Sequence, residues 1–208
     1  LSNQATISRY VAEATIEPES IARARNRAVE LGAMPVSAAI GAQLALLAAA
    51  SGAKSILEIG TGGGVSALHL LRGAQNATIT TIDVEPEYVS AARASFADAG
   101  IVAARSRFIT GRAIDVLPRM NEGDYDIVLV DADVEHVIEY VEHGLRLVRK
   151  GGLVLVPRVL SGGKVADPVQ RDDATTAYRT LIQETAESPA VVASLSATAE
   201  GLLQMVSK

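Results

Sequence analysis

The residues best placed to do chemistry begin at Glu58-Ile59-Gly60-Thr61-Gly62-Gly63-Gly64-Val65-Ser66, where a short apolar run enters a glycine-rich turn and a helical pattern follows. Glycines at a strand-to-helix turn let the backbone approach a ligand and leave amide donors exposed at the helix start. A purely structural turn is the competing reading. Asp83 closes the next β-rich segment, at the place where a carboxylate can accept both hydroxyls of a ribose. Glu58 adds a charge criterion. A carboxylate beside the loop repels the pyrophosphate of a dinucleotide and attracts a ligand that carries an ammonium group. S-adenosylmethionine is such a ligand, with adenine, ribose, a sulfonium and an amino-acid tail but no phosphate. The alternative is Glu58 as a solvated or helix-capping residue. His69, His136 and His143 are the only side chains that titrate near neutrality without perturbation. There is no GxSxG elbow and no Walker loop ending in GK[ST]. Cys is absent, which excludes disulfides, thiolate metal sites and a cysteine nucleophile.

Such a loop needs strands and helices to hold it. Ser55–Gly60, Thr78–Ile82, Arg107–Ile109, Tyr125–Val130 and Leu153–Val156 read as strands, the last two of a fully buried kind. Helical patterns at Val65–Arg72, Tyr88–Ala99 and Val137–Arg149 separate several of them, the last stopping at Lys150-Gly151-Gly152. That alternation predicts right-handed βαβ units and an α/β fold, doubly wound around a mostly parallel sheet. Residues 7–52 read as helices without a strand, and Ala190–Leu195 with Leu202–Val206 as a closing antiparallel pair. A length of 208 residues fits one domain, with a helical extension over 1–52 and an α/β core over 53–208. The 19 basic and 24 acidic residues give a net charge of −5, the wrong sign for a nucleic-acid partner, and aromatics at 3% are too few for a base-stacking platform. The start has no apolar signal core, and Ala38–Ala50 falls short of the roughly 20 residues that span a bilayer. The expectation is a soluble cytoplasmic protein without a membrane partner. The cluster Arg23-Ala24-Arg25-Asn26-Arg27 reads as a solvated helix face, and Leu160–Thr176, with Gly162-Gly163 as a hinge, as an exposed connection or a substrate lid.

LEIGTGGGVS, TTIDVEP, ITGRAIDVLP, YDIVLVDAD and LVRKGGLVLV, in that order, resemble the class I S-adenosylmethionine-dependent O-methyltransferases, nearest the branch with catechol and caffeoyl-CoA O-methyltransferases. The likeness runs from about Met34 to Gly201-Leu202. It implies a seven-stranded Rossmann-like methyltransferase fold, S-adenosylmethionine as cofactor, O-methylation of a small hydroxylated molecule and a homodimer. Carried over by position, Glu58 stabilises the loop and the methionine ammonium region, and Gly60 and Thr61 offer backbone contacts. Ser66 takes the methionine carboxylate, Asp83 the ribose, Val84 and Ala113 the adenine. Val36 contacts the methionine portion, and Asp131 and Asp133 lie where cofactor and substrate meet.

The resemblance also implies a Mg²⁺-like cation held by an Asp at position 131 and an Asp-Asn pair after the next strand, with a catalytic Lys at position 134. The sequence departs there. The pair reads Pro157-Arg158 and the Lys position holds Val134. Proline has no ligating side chain and arginine only donates, so no metal site is expected. Arg158 then either pairs with Asp131 and stabilises a substrate oxyanion, or faces solvent. His136, close after Asp131, is the candidate base, with a helix-surface histidine as the alternative. A cofactor-binding module with little catalysis and an NAD-dependent oxidoreductase remain the competing functions.

Overall fold

A computed structural model describes residues 3–208; Leu1 and Ser2 of the expected extension lie outside the described residues. The amino-terminal part is three helices, α1 (Asn3–Ala14), α2 (Glu19–Glu30) and α3 (Ala38–Ser51). Pro18 sits at the N-cap of α2, where its fixed φ and missing N–H cost nothing. Ile21, Ala24 and Ala28, at helical spacing, make its buried face. Ser37 caps α3 by accepting a hydrogen bond from Ile40 N, and Gly52 ends the helix in a left-handed conformation.

The core then alternates: β1 (Ser55–Ile59), α4 (Val65–Gly73), β2 (Thr78–Asp83), α5 (Pro86–Asp98), β3 (Ser106–Thr110), the short α6 (Ala113–Val116), β4 (Tyr125–Val130), α7 (Val137–Leu147), β5 (Val148–Pro157), α8 (Asp173–Glu187), β6 (Val191–Ser196) and β7 (Leu202–Ser207). The sheet has seven strands in the order β3-β2-β1-β4-β5-β7-β6. The first five run parallel, and β7 lies antiparallel between β5 and β6. This is the doubly wound sheet with a closing antiparallel pair that the sequence predicts. One apolar cluster, with Ile40, Leu44, Leu70 and Phe96, fills one face; another, with Leu117, Tyr140, Leu147 and Leu181, fills the other. Both faces of β1 and β4 are therefore dry, which accounts for the apolar run Ile127–Val130 in β4 and leaves Glu58 as the one charged residue of β1. The chain passes from β1 to either side of the sheet, so the carboxyl ends of β1 and β4 flank the switch point at which such folds open a crevice.

Three local expectations change. Lys150-Gly151-Gly152 does not stop α7 in a loop but lies inside β5, which already pairs through Val148 with Tyr125 before its register shifts. Gly151, at φ 74°, gives that irregularity its backbone. The arginine cluster on α2 is more than a solvated face. Arg25 clasps Glu17 with two hydrogen bonds of 2.9 and 2.7 Å and donates to the Val36 carbonyl, while Arg27 reaches Ser95 and Asp98 on α5. The Leu160–Thr176 segment is gathered by Arg179, whose guanidinium donates to the carbonyls of Lys164, Val165, Asp167 and Gln170. No described helix is long and apolar enough to cross a membrane.

Candidate functional site

At the switch point a cavity of about 470 Å³ opens, a size suited to a small organic ligand. Its floor is the turn between β1 and α4. Gly60 stands at φ 94°, and a Cβ there would lie 2.1 Å from the Asp131 carbonyl oxygen, so only glycine lets the tips of β1 and β4 approach this closely. Asp83 Oδ2 accepts the N–H groups of Thr61 and Gly62, both at 2.9 Å, and its Oδ1 accepts Glu85 N. The expected ribose carboxylate is thus first a clamp on the glycine turn, with little accepting capacity left over.

The N–H of Gly60 donates to Ile82 O and that of Thr61 to Asp83. Neither residue has an N–H to give a ligand. Among the described residues the Gly60 carbonyl accepts no hydrogen bond, and the amides of Gly63, Val65 and Ser66 at the start of α4 donate none. The turn therefore offers one carbonyl for a cation and several helix-start amides for an anion.

Glu58 corrects the sequence reading. It does not face the cavity but is fully buried one layer beneath the turn. Ser66 Oγ donates to its Oε1 and Thr81 Oγ1 to its Oε2, each at 2.6 Å, and Thr61 Oγ1 joins Thr81 Oγ1 at 2.6 Å. Burial pushes its carboxyl up to about 8, the two hydroxyls work against that, and nearby Asp131 and Asp83 add to the rise. Its work is to tie β1, β2 and α4 together under the loop. Ser66 lines the cavity, yet its hydroxyl proton is committed to Glu58. Val36 is buried just behind the wall that Gly32–Pro35 forms, its carbonyl accepting from Arg25.

The cavity has two ends. Toward α6 it is bounded by Val84, Tyr88, Ala113 and Ile114, and by Asp133, His136 and Tyr140. Asp133 binds both others: its Oδ1 lies 2.6 Å from His136 Nδ1, and its Oδ2 accepts the Tyr140 hydroxyl at 2.8 Å. Burial works to raise the Asp133 carboxyl, but those hydrogen bonds outweigh it and leave it low. The same bond from Asp133 raises His136 above the ordinary imidazole range. That makes the imidazole a stronger base but shifts it toward its protonated form, so less of it is free to take a proton. His69 is remote from this chemistry, buried in α4 with Nε2 at 2.9 Å from Glu17.

The other end belongs to Asp131 and Arg158. Arg158 does not point to solvent. It pairs with Asp131 through Nη2 and donates Nη1 to the Met34 carbonyl at 2.7 Å. Burial raises the Asp131 carboxyl and Arg158 opposes that; nearby Glu200 adds to the rise, and the net shift is upward. Arg158 holds a left-handed φ of 64°, uncommon for a side-chain-bearing residue. Hydrogen bonds from Arg158 N to Gly201 O and from Ser161 N to Arg158 O hold it there. A strained residue at a cavity mouth is a mark of a functional position. Val134 is outside the wall, and none of residues 160–176 lines the cavity.

Sequence reasoning missed Met34, Tyr88 and Tyr140. Tyr140 was readable only as a core position of α7, since nothing in its spacing announces a bond to Asp133.

Known proteins share this architecture. A crystal structure of TomG from Streptomyces achromogenes, an O-methyltransferase of tomaymycin synthesis in complex with S-adenosylmethionine, superposes with a TM-score of 0.87 at 29% identity, over 100% of this chain and 99% of that one. An O-methyltransferase from Bacillus cereus in complex with S-adenosylhomocysteine gives 0.85 at 26% identity over 98% and 97%. A Mycobacterium avium (strain 104) protein whose name places it provisionally among O-methyltransferases is 44% identical over 197 residues, 94% of this chain and 89% of its own. The O-methyltransferase family model matches residues 10–207. With that match spanning nearly its whole length, the chain belongs to the O-methyltransferase family.

Proposed function

We propose that this chain methylates an oxygen of a small hydroxylated molecule with S-adenosylmethionine as methyl donor, and that it does so without a divalent cation. The observation that carries the proposal is one cavity with a nucleoside-sized glycine turn at its floor and a guanidinium–carboxylate pair at its far end. The free amides of Gly63, Val65 and Ser66 suit the donor's carboxylate, and the Gly60 carbonyl suits its ammonium. Asp83 is left to accept from the ribose, and Val84, Tyr88, Ala113 and Ile114 give the adenine its apolar slot. The carboxyl groups of Asp83 and Asp131 border this floor and disfavour a pyrophosphate, while Glu58, held up to about 8, adds little negative charge there. The NAD reading therefore loses its footing beside the family assignment.

The donor supplies an electrophilic methyl whose S–CH₃ bond breaks, electrons returning to sulfur, as the O–CH₃ bond forms. The protein's part is alignment and electrostatics. Asp133 fixes His136 and Tyr140 as a rigid wall, and Asp131 fixes the Arg158 guanidinium. The residues do not fit a hard dication. Such an ion takes six or more oxygen ligands, whereas here the Asp131 carboxylate is engaged by an arginine and Pro157 has nothing to offer. Among the described residues no cluster of three histidine or acidic side chains is suited to a metal.

Calorimetry with S-adenosylmethionine, S-adenosylhomocysteine and NAD tests the cofactor. Binding of the two sulfur nucleosides but not NAD is expected, and the reverse would end the proposal. Methyl transfer to a phenol panel in EDTA tests the chemistry. Binding of S-adenosylhomocysteine without transfer to any acceptor would favour a binding module.

A further inference from the structure

The Arg158–Asp131 pair says something about the acceptor itself. Arginine has five N–H donors in a fixed fork. One hydrogen on Nη1 goes to Met34 O and one on Nη2 to Asp131, and the rest are uncommitted at the cavity wall. The guanidinium cannot rotate to follow a ligand, because two partners and a left-handed backbone hold it. Its single positive charge is flanked by the carboxylate of Asp131 and, close by, that of Glu200. The cavity's other arginine, Arg112, stands beside Ala113 on the α6 side, so a second anionic oxygen next to Arg158 has no cation of its own, and two adjacent oxygens could not be chelated by a group that only donates hydrogen bonds.

From this we infer, building on the methyl-transfer reading above, that the acceptor is engaged through one acidic hydroxyl, phenolic or enolic, bound as its oxyanion by Arg158, and that a vicinal diol gains nothing. Val134 leaves the Arg158 end without an amine, and His136, fixed by Asp133 through Nδ1, bounds the other end of the cavity. The hydroxyl therefore gives its proton to solvent water on binding, and the retained electron pair forms the new bond to carbon. A plain aliphatic alcohol is too weak an acid for this route. Met34, 78% exposed, and Pro35 give the ring an apolar wall.

The test uses 4-nitrophenol and 4-nitrocatechol, whose ionised forms are visible by absorbance, titrated with the whole protein in EDTA and saturating S-adenosylhomocysteine below neutral pH. Both should bind as oxyanions with affinities within about threefold of each other. Arg158→Gln should weaken oxyanion binding about tenfold or more, as loss of a charged hydrogen bond does, and Arg158→Lys should restore part of it. Preference for the catechol by tenfold or more, an oxyanion signal unchanged in Arg158→Gln, or binding of neither ring overturns the inference. A second readout needs no organic ligand. Mn²⁺ should leave its electron paramagnetic resonance signal unattenuated with the native protein and lose signal to the double variant Pro157→Asp/Arg158→Asn, asparagine being at ease in the left-handed backbone. Attenuation by the native protein, abolished in Asp131→Asn, would overturn it. Failure of S-adenosylhomocysteine to bind would instead strike the methyl-transfer reading, and the nitrophenol titration is then read on the protein alone.

Discussion

The floor of the cavity and its Arg158 end are built on opposite principles. At the glycine turn the carboxyl groups are satisfied by backbone or by short side chains, Asp83 by three amides and Glu58 by two hydroxyls, while the helix-start amides stay open. At the Arg158 end the satisfaction comes from one long side chain that crosses from the tip of β5 to Asp131 and Met34. The first arrangement is rigid because chain geometry enforces it. The second depends on a single residue. One end is thus suited to a ligand that never varies, and the other to chemistry that can be altered by changing one side chain.

Four changes break or sharpen that contrast. Gly60→Ala should do most damage, since its Cβ would overlap the Asp131 carbonyl at 2.1 Å on a backbone already at φ 94°. A loss on the order of 3 kcal/mol of stability, with loss of cofactor binding, is expected from thermal unfolding and calorimetry. Arg158→Ala should lower turnover about 100-fold, the scale for one oxyanion donor. Cofactor affinity should stay within about threefold by calorimetry, because the turn is untouched; a matching loss of affinity would erase the distinction between the ends.

Glu58→Gln sharpens the contrast through pH. The native carboxyl is held up to about 8 against an unfolded value of 4.5, so the folded protein binds the extra proton between those limits. Its stability should therefore fall as pH rises from about 4.5 to about 8. Glu58→Gln should flatten that slope and raise the unfolding midpoint above pH 8; an unchanged slope would mean that another group dominates. Asp133→Asn should have the smallest effect. Removing its carboxylate should return His136 toward the ordinary imidazole range, seen by NMR titration, with turnover changed by no more than about threefold.

How legible was this in the sequence? The strands, their order of appearance and the glycine turn were readable because apolar runs and turn glycines are local signals. Asp83, Val84, Ala113, Asp131 and Asp133 do line the cavity for the same reason: each sits at a fixed offset from a strand end. What could not be read was direction. Glu58 alternates with Leu57 and Ile59, which both pack in the second apolar cluster, and only the positions of Thr81 and Ser66 show what it meets on its own side. The engagement of the Val36 carbonyl by an arginine on α2 was equally unreadable. Arg25, Arg27 and Arg179 act over separations that no periodicity records. Lys150-Gly151-Gly152 looked like a stop because a bulged strand and a loop use the same residues.

The approach of Gly60 to the Asp131 carbonyl has a consequence for traffic. With the tips of β1 and β4 in contact, the sheet cannot spread to release a spent ligand, and the helices above it are anchored in the two apolar clusters. The Gly32–Pro35 linker is a wall that belongs to neither cluster, and the Arg158 bond to Met34 O acts as its bolt. An anion held on the free N–H groups of the guanidinium would leave that bolt in place and steady it, so occupancy at one end would be reported at the exit. Hydrogen exchange across residues 32–35, slower with a bound phenolate than without, would register it; exchange indifferent to the phenolate would show the two to be uncoupled.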